Sequence, residues 1–221
     1  MRDDLTDSMG EMILERLETS FTFSAGTIRY LKLRRYMEIA AIVLFSPVIL
    51  LTVAVVSMAV MADFRGRPFY TQLRAGKGGK PFTIYKFRTM EDSSEKHHDY
   101  FRHCNERVTR LGAFLRKHRI DELPQLLNIL KGDMSLVGPR PEVFQLYLHF
   151  LKTIDRYALR KCVPQGITGW AQINLPHTVS MEGNTEKLVY DLYYLKNISF
   201  RLDCRIIFKT MKLVFMGRNS Q

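Results

Sequence analysis

Three features of this 221-residue sequence predict a helix-rich α/β fold, α+β in layout, with a membrane-embedded helix at its N-terminal side. They are an uncharged apolar run from Ile39 to Ala62, two β-type segments flanking the glycine-rich Ala75–Lys80, and a series of amphipathic helical stripes downstream. With 46% hydrophobic residues the chain can bury one good core, which sets disorder aside. A formal charge of +11 calls for an anionic partner: nucleic acid, an anionic membrane surface or a phosphorylated substrate. Cys104, Cys162 and Cys204 are odd in number and widely spaced, which fits a reducing compartment and no structural zinc. His97, His98, His103 and Cys104 cluster, but their spacing matches no common zinc pattern, and a solvated loop is the expectation.

Residues 1–28 hold six acidic residues against Arg2 and Arg16, so the chain lacks the basic start of a secretory signal. Met9, Met12, Ile13 and Leu17 have the spacing of a short amphipathic helix. The apolar run that follows has 24 residues without a charge, and as one helix would measure about 36 Å against a hydrocarbon core of about 30 Å. Length permits a full crossing, but two features oppose it. Arg29, Lys32, Arg34 and Arg35 precede the run and Arg65, Arg67, Arg74, Lys77 and Lys80 follow it, so the positive-inside rule assigns both ends to the cytoplasm. Ser46-Pro47 removes a backbone donor inside the run and kinks the helix, leaving a carbonyl for the Ser46 hydroxyl. A re-entrant helix that enters one leaflet and returns answers both.

Phe69–Gln72 and Pro81–Thr89 read as a β-hairpin around a turn. The turn lacks the spacing and following Ser/Thr of a Walker motif. Alternation places Phe82, Ile84, Lys86 and Arg88 on one face, so an apolar face turns cationic at its end. Asp92-Ser93-Ser94-Glu95 reads as a polar loop, after which Thr109 caps a short helix carrying Leu111, Phe114 and Leu115, with Arg116 in its last turn. Beyond Pro141, Val143, Leu146, Tyr147, Phe150, Leu151 and Ile154 form a helical stripe flanked distally by Lys152, Arg156, Arg160 and Lys161, suited to core packing or to the membrane interface. Ile206, Ile207, Phe208, Met211, Val214 and Phe215 predict a C-terminal apolar helix that covers the core or touches lipid.

The chemistry concentrates between Leu115 and Pro141. Leu123, Leu126, Leu127 and Leu130 have the spacing of one buried helical face, closed by Gly132, and the helix they predict begins at Asp121-Glu122 with Asp121 as N-cap and Pro124 in the first turn. A carboxylate pair at a helix start is ordinarily a cap. Here Arg116, Lys117, His118 and Arg119 precede it, and the stiff turn Gly138-Pro139-Arg140-Pro141 follows. That company suits a site for phosphates, with a nucleophilic or metal-binding carboxylate among Arg forks.

The strings FYTQLRAGKGGKPFTIYKFRTM, LRKHRIDELPQLLNILKGDMSLVGPRP, GITGWAQIN and YDLYYLKNISFRLD resemble, in order and spacing, the bacterial sugar transferases: monotopic polyprenyl-phosphate phosphoglycosyl transferases that prime glycan assembly. The resemblance covers about residues 33–216. It implies an extension over 1–32, a re-entrant helix over 33–62 and a compact catalytic domain with interfacial helices over 63–221 on the cytoplasmic face of the inner membrane. Two departures stand out. The family usually has Asp at Glu38, where a contact to Arg34 or Arg35 should survive, and Val163-Pro164-Gln165 replaces a basic residue and Pro, which puts a nucleotide or phosphate contact there in doubt.

The resemblance implies transfer of a sugar 1-phosphate from a UDP-sugar to polyprenyl (undecaprenyl) phosphate, with release of UMP, as the first membrane step of exopolysaccharide or glycan synthesis. It assigns Asp121 as nucleophile, Glu122 with Asp121 to Mg²⁺, and Lys86, Arg88, Arg116 and Arg140 to phosphates. Gln172, Asp191 and Asp203 are candidates for contacts with nucleotide or metal. Expected partners are the two substrates and membrane lipids; a homo-oligomer is compatible with the sequence. A nucleic-acid-binding module is disfavoured by the apolar run and by acids that would repel phosphates. A non-catalytic scaffold on anionic lipids is the remaining alternative, and it predicts no UMP release.

Overall fold

The structure is a computed structural model, and it describes residues 22–91, 108–175 and 181–216. The stretch around Met9–Leu17, the acidic loop at 92–95 and the His97–Cys104 cluster lie outside the described residues.

Helix α1 (Ala25–Leu44) starts at Ser24, whose hydroxyl accepts from the Thr27 N–H, and stops at Phe45. Helix α2 (Ser46–Phe64) continues from the break with Pro47 in its first turn. Proline has no N–H for the carbonyl four residues back, that of Val43, and the Ser46 hydroxyl donates to this carbonyl instead at 2.7 Å. The break is thus where the Ser-Pro pair predicts it. Helix α2 is long and apolar enough to cross a membrane. Its buried side is one narrow stripe, with Ile49 against Ile42, Ile84, Ile129 and Met134, and Val53, Val56, Val60 and Phe64 against Phe87 and Leu115. Val48, Leu50, Leu51, Val55 and Met58 face outward, each more than half exposed.

Strands β1 (Phe69–Ala75) and β2 (Pro81–Phe87) pair antiparallel, with Phe69 opposite Phe87 and Ala75 opposite Pro81. Gly78 and Gly79 take positive φ in the turn between them. Helix α3 (Arg110–Lys117) is capped by the Thr109 hydroxyl, which accepts from the Gly112 N–H at 3.0 Å. A Cβ on Gly112 would fall 2.2 Å from the Thr89 carbonyl oxygen, so only glycine lets α3 lie against the end of the hairpin. A 3₁₀ turn (Ile120–Gln125) leads into α4 (Leu126–Lys131), which Gly132 closes at φ 93°.

Strand β3 (Met134–Val137) is followed by α5 (Phe144–Thr153), a 3₁₀ turn (Tyr157–Lys161) and β4 (Gln165–Thr168), which pairs parallel with β3. This second small sheet adds to the expected hairpin. Helices α6 (Trp170–Asn174), α7 (Met181–Lys196) and α8 (Phe200–Phe215) complete the described chain. Val137, Val163, Tyr194, Leu195, Ile198, Leu202 and Ile206 form the largest core. On α8 Ile206 is buried, whereas Phe208, Met211 and Phe215 face outward.

Two sequence expectations are corrected. Leu127 and Leu130 do not belong to a buried face, being 46% and 42% exposed, and Gln125, Asn128 and Ile129 are buried instead. The 3₁₀ turn shifts the helical phase, and Asn128 is needed inside: its amide donates to the Thr83 carbonyl at 2.7 Å and accepts from the Tyr85 N–H at 3.2 Å, tying α4 to β2. Arg160 and Lys161 are not a basic flank of α5, being 1% and 0% exposed. The helix ends at Thr153, Arg156 takes a positive φ, and the following turn carries both cations into the interior.

Candidate active site

Three connections converge on the carboxylate pair. The end of α3 supplies Arg116 and, through a positive φ at Arg119, turns the chain so that Asp121 and Glu122 lie in the first 3₁₀ turn. Arg119, and not Asp121, therefore precedes the helix, and Asp121 caps nothing. The end of β2 supplies Lys86, and the turn after β3 supplies Arg140.

Glu122 is gripped. Its Oε1 accepts from Lys86 Nζ at 2.8 Å and from Arg140 Nη2 at 3.0 Å, and Arg119 stands 3.7 Å from Oε2. Burial alone would raise its pKa, but Lys86, Arg140 and Arg119 outweigh burial and hold the carboxyl well below the usual range. Asp121 is the opposite case. It is 8% exposed, and among the described residues its carboxylate makes no hydrogen bond or ion pair. Burial, then the neighbouring Glu122 charge, raise its pKa against the pull of Lys86, Arg140 and Arg116. A buried carboxylate beside three cations, without a protein partner among the described residues, is in its ionised form basic enough to attack an electrophile and poorly matched to a structural task.

The other cations divide. Arg116 Nε donates to the Thr89 hydroxyl at 2.9 Å, which holds its guanidinium on the carboxylate side of the hairpin end. Arg88 stacks over the Phe64 ring at 4.9 Å and donates to the Met90 carbonyl, so it links the hairpin to the end of α2.

The model of the bacterial sugar transferase family matches residues 29–217. This chain belongs to that family. It is 42% identical over 193 residues to the UDP-N-acetylgalactosamine-undecaprenyl-phosphate N-acetylgalactosaminephosphotransferase of Aeromonas hydrophila, which covers 85% of this chain and 45% of the relative. It is also 42% identical over 195 residues to the uncharacterized sugar transferase EpsL of Bacillus subtilis, covering 86% of this chain and 90% of the relative. With the UDP-glucose:undecaprenyl-phosphate glucose-1-phosphate transferase of Escherichia coli it shares 35% identity over 199 residues, 88% of this chain and 42% of the relative. The chain thus spans under half the length of the Aeromonas and Escherichia relatives and nearly all of the Bacillus one.

The remaining family-motif residues sit in structural networks. Asp203 Oδ2 accepts from Arg34 Nη1 at 2.9 Å and from the Tyr30 hydroxyl at 2.6 Å, and Oδ1 accepts from the Tyr194 hydroxyl at 2.8 Å. Arg34 also pairs with Glu38 at 3.7 Å, the contact expected to survive the Asp-to-Glu departure, and Glu38 accepts from Ser135 Oγ and the Leu136 N–H. Asp191 pairs with Arg160 at 2.7 Å. Gln172 lies on α6, partly buried. Trp170 stacks on Tyr193 at 5.5 Å against the core. At the second departure, Gln165 is fully buried and committed internally: Nε2 donates to the Arg160 and Val163 carbonyls and Oε1 accepts from Lys161 Nζ. Sequence reasoning missed Glu142 and the inward Arg160; the one hint was a carboxylate directly after Pro-Arg-Pro.

Proposed function

We propose that the chain transfers a sugar 1-phosphate from a UDP-sugar to a polyprenyl phosphate, the chemistry named for its Aeromonas and Escherichia relatives. The observation that carries it is the contrast within the carboxylate pair: Glu122 is held by Lys86 and Arg140, while Asp121 is buried and unclaimed beside the same cations. An oxygen of Asp121 attacks the sugar-linked phosphorus, the bond to the UMP oxygen breaks, and UMP leaves from an aspartyl phosphosugar. A polyprenyl-phosphate oxygen then attacks the same phosphorus, which returns Asp121 to its carboxylate and yields polyprenyl-diphosphate sugar. Lys86, Arg116 and Arg140 offset the phosphate charge that would otherwise repel the nucleophile.

The donors present suit Mg²⁺. Among the described residues Glu122 Oε2 is buried without a hydrogen-bond donor and the adjacent Asp121 carboxylate has no partner, and Mg²⁺ takes one or two carboxylates and shares the phosphate oxygens. Glu122, with Asp121, would hold it, and the ion would supply charge neutralisation at the diphosphate.

The two arms of the apolar segment support a re-entrant placement. Ile42 and Ile49, on either side of the break, pack in the same cluster as Ile84 and Ile129, and the α2 stripe continues along the catalytic body to Phe64. Packing of the helix lengthwise along that body for about 22 Å supports a segment that stays with it over one that crosses the bilayer. The reading sets the site at headgroup depth on the cytoplasmic side, where a soluble nucleotide sugar meets a lipid phosphate. With the three native cysteines changed to serine, Lys32→Cys and Arg67→Cys should be labelled from the same side of the membrane; labelling from opposite sides sinks the re-entrant placement.

The test of the reaction is a panel of UDP-sugars with Mg²⁺, scored by UMP. Without lipid acceptor, about one UMP per active site should appear, with a phosphosugar adduct on the peptide containing Asp121. Neither burst nor adduct in an enzyme that turns over once lipid is added would falsify the covalent route and leave direct attack by lipid phosphate. No UMP from any UDP-sugar, with or without lipid, favours the lipid-binding scaffold.

A further inference from the structure

Arg140 reaches Glu122 from a turn whose stiffness has a source outside the turn. Pro139 and Pro141 fix their own φ and disfavour helical backbone at Gly138 and Arg140, which leaves ψ of Arg140, and with it the direction of the Arg140 carbonyl, a range of about 40°. Every carbonyl from Pro139 to Glu142 is taken by a different donor. Pro139 accepts from the Gly166 N–H at 2.9 Å, Arg140 from Arg160 Nη2 at 3.4 Å, Pro141 from Arg74 Nη1 at 3.0 Å and Glu142 from the Ala75 N–H at 3.0 Å. The bond to Arg140 is the longest of these and the one made by a fully buried charge.

Arg160 is an expensive way to fill that space. A buried guanidinium loses its hydration, and an apolar group of similar volume often holds elements together as well or better. Its partners explain what a hydrophobe would not do. Arg160 pairs with Asp191 of α7 at 2.7 Å, donates to Glu142 at 3.2 Å and to the Tyr157 hydroxyl, and lies over the Tyr157 ring at 4.9 Å. Asp191 and Glu142 neutralise it, and the same planar head touches both the carbonyl of Arg140 and the carboxylate two residues on. The fork therefore clamps the backbone on both sides of Pro141.

We infer that Arg160, with Asp191 as its counter-ion, is a positioning residue for the transfer reaction: it sets the plane of the Arg140 carbonyl and so the direction in which the Arg140 guanidinium meets Glu122 and the phosphate beside it. This rests on the transfer reading above, and it gives Asp191 a task away from nucleotide and metal. Lysine at 160 keeps the charge but cannot bridge Asp191, Glu142 and the carbonyl with one planar fork. Asparagine at 191 keeps the shape and removes the counter-charge.

The deciding experiment is a double-mutant cycle on the lipid-free UMP burst. Asp191→Asn and Arg160→Lys should each slow the burst by about 10²-fold, the scale of a misplaced group remote from the chemistry. In an Arg140→Lys background, which lacks the fork being aimed, the same changes should cost little more. Equal losses in both backgrounds overturn the inference, because a direct contact of Asp191 with substrate, or a general loss of folding, does not depend on the Arg140 fork. If the wild type releases no UMP from any UDP-sugar, the transfer reading falls by itself. In that case, or where a rate in the Arg140→Lys background lies below detection, hydrogen exchange over residues 138–144 decides. Faster exchange there in both variants, with α1 and α2 unchanged, supports the clamp, and unchanged exchange overturns it.

Discussion

Among the buried ionic clusters of the described residues, the one that fastens the N-terminal helices and the one at the candidate active site are completed differently. In the fastening cluster, both oxygens of Asp203 are hydrogen-bonded, Arg34 meets Asp203, Tyr194 and Glu38, and Glu38 ends on the backbone of β3. In the active-site cluster, Lys86 and Arg140 both converge on one oxygen of Glu122, and the carboxylate of Asp121 has no hydrogen-bond or ion-pair partner among the described residues. Burial and charge are alike in the two places. Satisfaction is what separates a rivet from a reactive group, since a buried polar atom without a partner is costly unless a ligand completes it.

The largest effect that would sharpen this contrast is at Asp121. Asp121→Asn removes the proposed nucleophile and should lower the UMP burst by at least about 10⁴-fold, a loss typical of nucleophile removal. Because the native carboxylate has no partner among the described residues and a raised pKa, the same change should not lower the thermal midpoint. A burst at the wild-type rate, or a clear loss of stability, breaks the distinction.

Next come Arg34→Ala and Asp203→Ala, where the signs reverse. Each breaks the buried Arg34–Asp203 pair and should cost about 3–5 kcal/mol of stability in denaturant titration. The rate per folded molecule should stay near that of the parent. A preserved stability with a raised KM for the UDP-sugar would instead place Asp203 at the nucleotide. Glu122→Gln should fall between the two clusters, losing stability because Lys86 and Arg140 lose their counter-charge, and losing activity together with its Mg²⁺ dependence.

Legibility in the sequence followed the same division. The Ser-Pro break, the hairpin and the Thr109 cap were readable because each rests on a local rule: a missing N–H, strand alternation, a side chain that accepts at a helix start. The cations around Asp121-Glu122 were readable as company. What spacing could not give was the phase change through the 3₁₀ turn, which put Asn128 inside and Leu127 and Leu130 outside. Nor could it give the charged partners of Arg160 and Asp203, because Arg160–Glu142 and Arg34–Asp203 join residues 18 and 169 positions apart and no local pattern encodes them.

The smallest expected effect concerns acid, and it separates the clusters by pH. Asp121 has a raised pKa, so as pH falls its carboxylate is the earlier of the pair to protonate, and the burst should decline as that nucleophile is neutralised. Protonating it relieves an unfavourable buried charge, so this step does not unfold the protein. Glu122 and Glu142 have depressed pKa values, Glu142 down to about 2. Their stabilisation is fully present above the unfolded carboxyl value of about 4.3 and is lost as pH falls through the folded values. Activity should therefore disappear at higher pH than structure. Arg116 is among the cations that pull the Asp121 pKa down, so Arg116→Gln should move the acid limb of the burst to higher pH while the acid unfolding transition stays in place. Parallel pH titrations of burst rate and near-UV circular dichroism read both. If the limb stays fixed in Arg116→Gln, or activity and structure vanish over one interval, the acid limb does not belong to Asp121, and the unclaimed carboxylate loses its strongest claim to be the group that reacts.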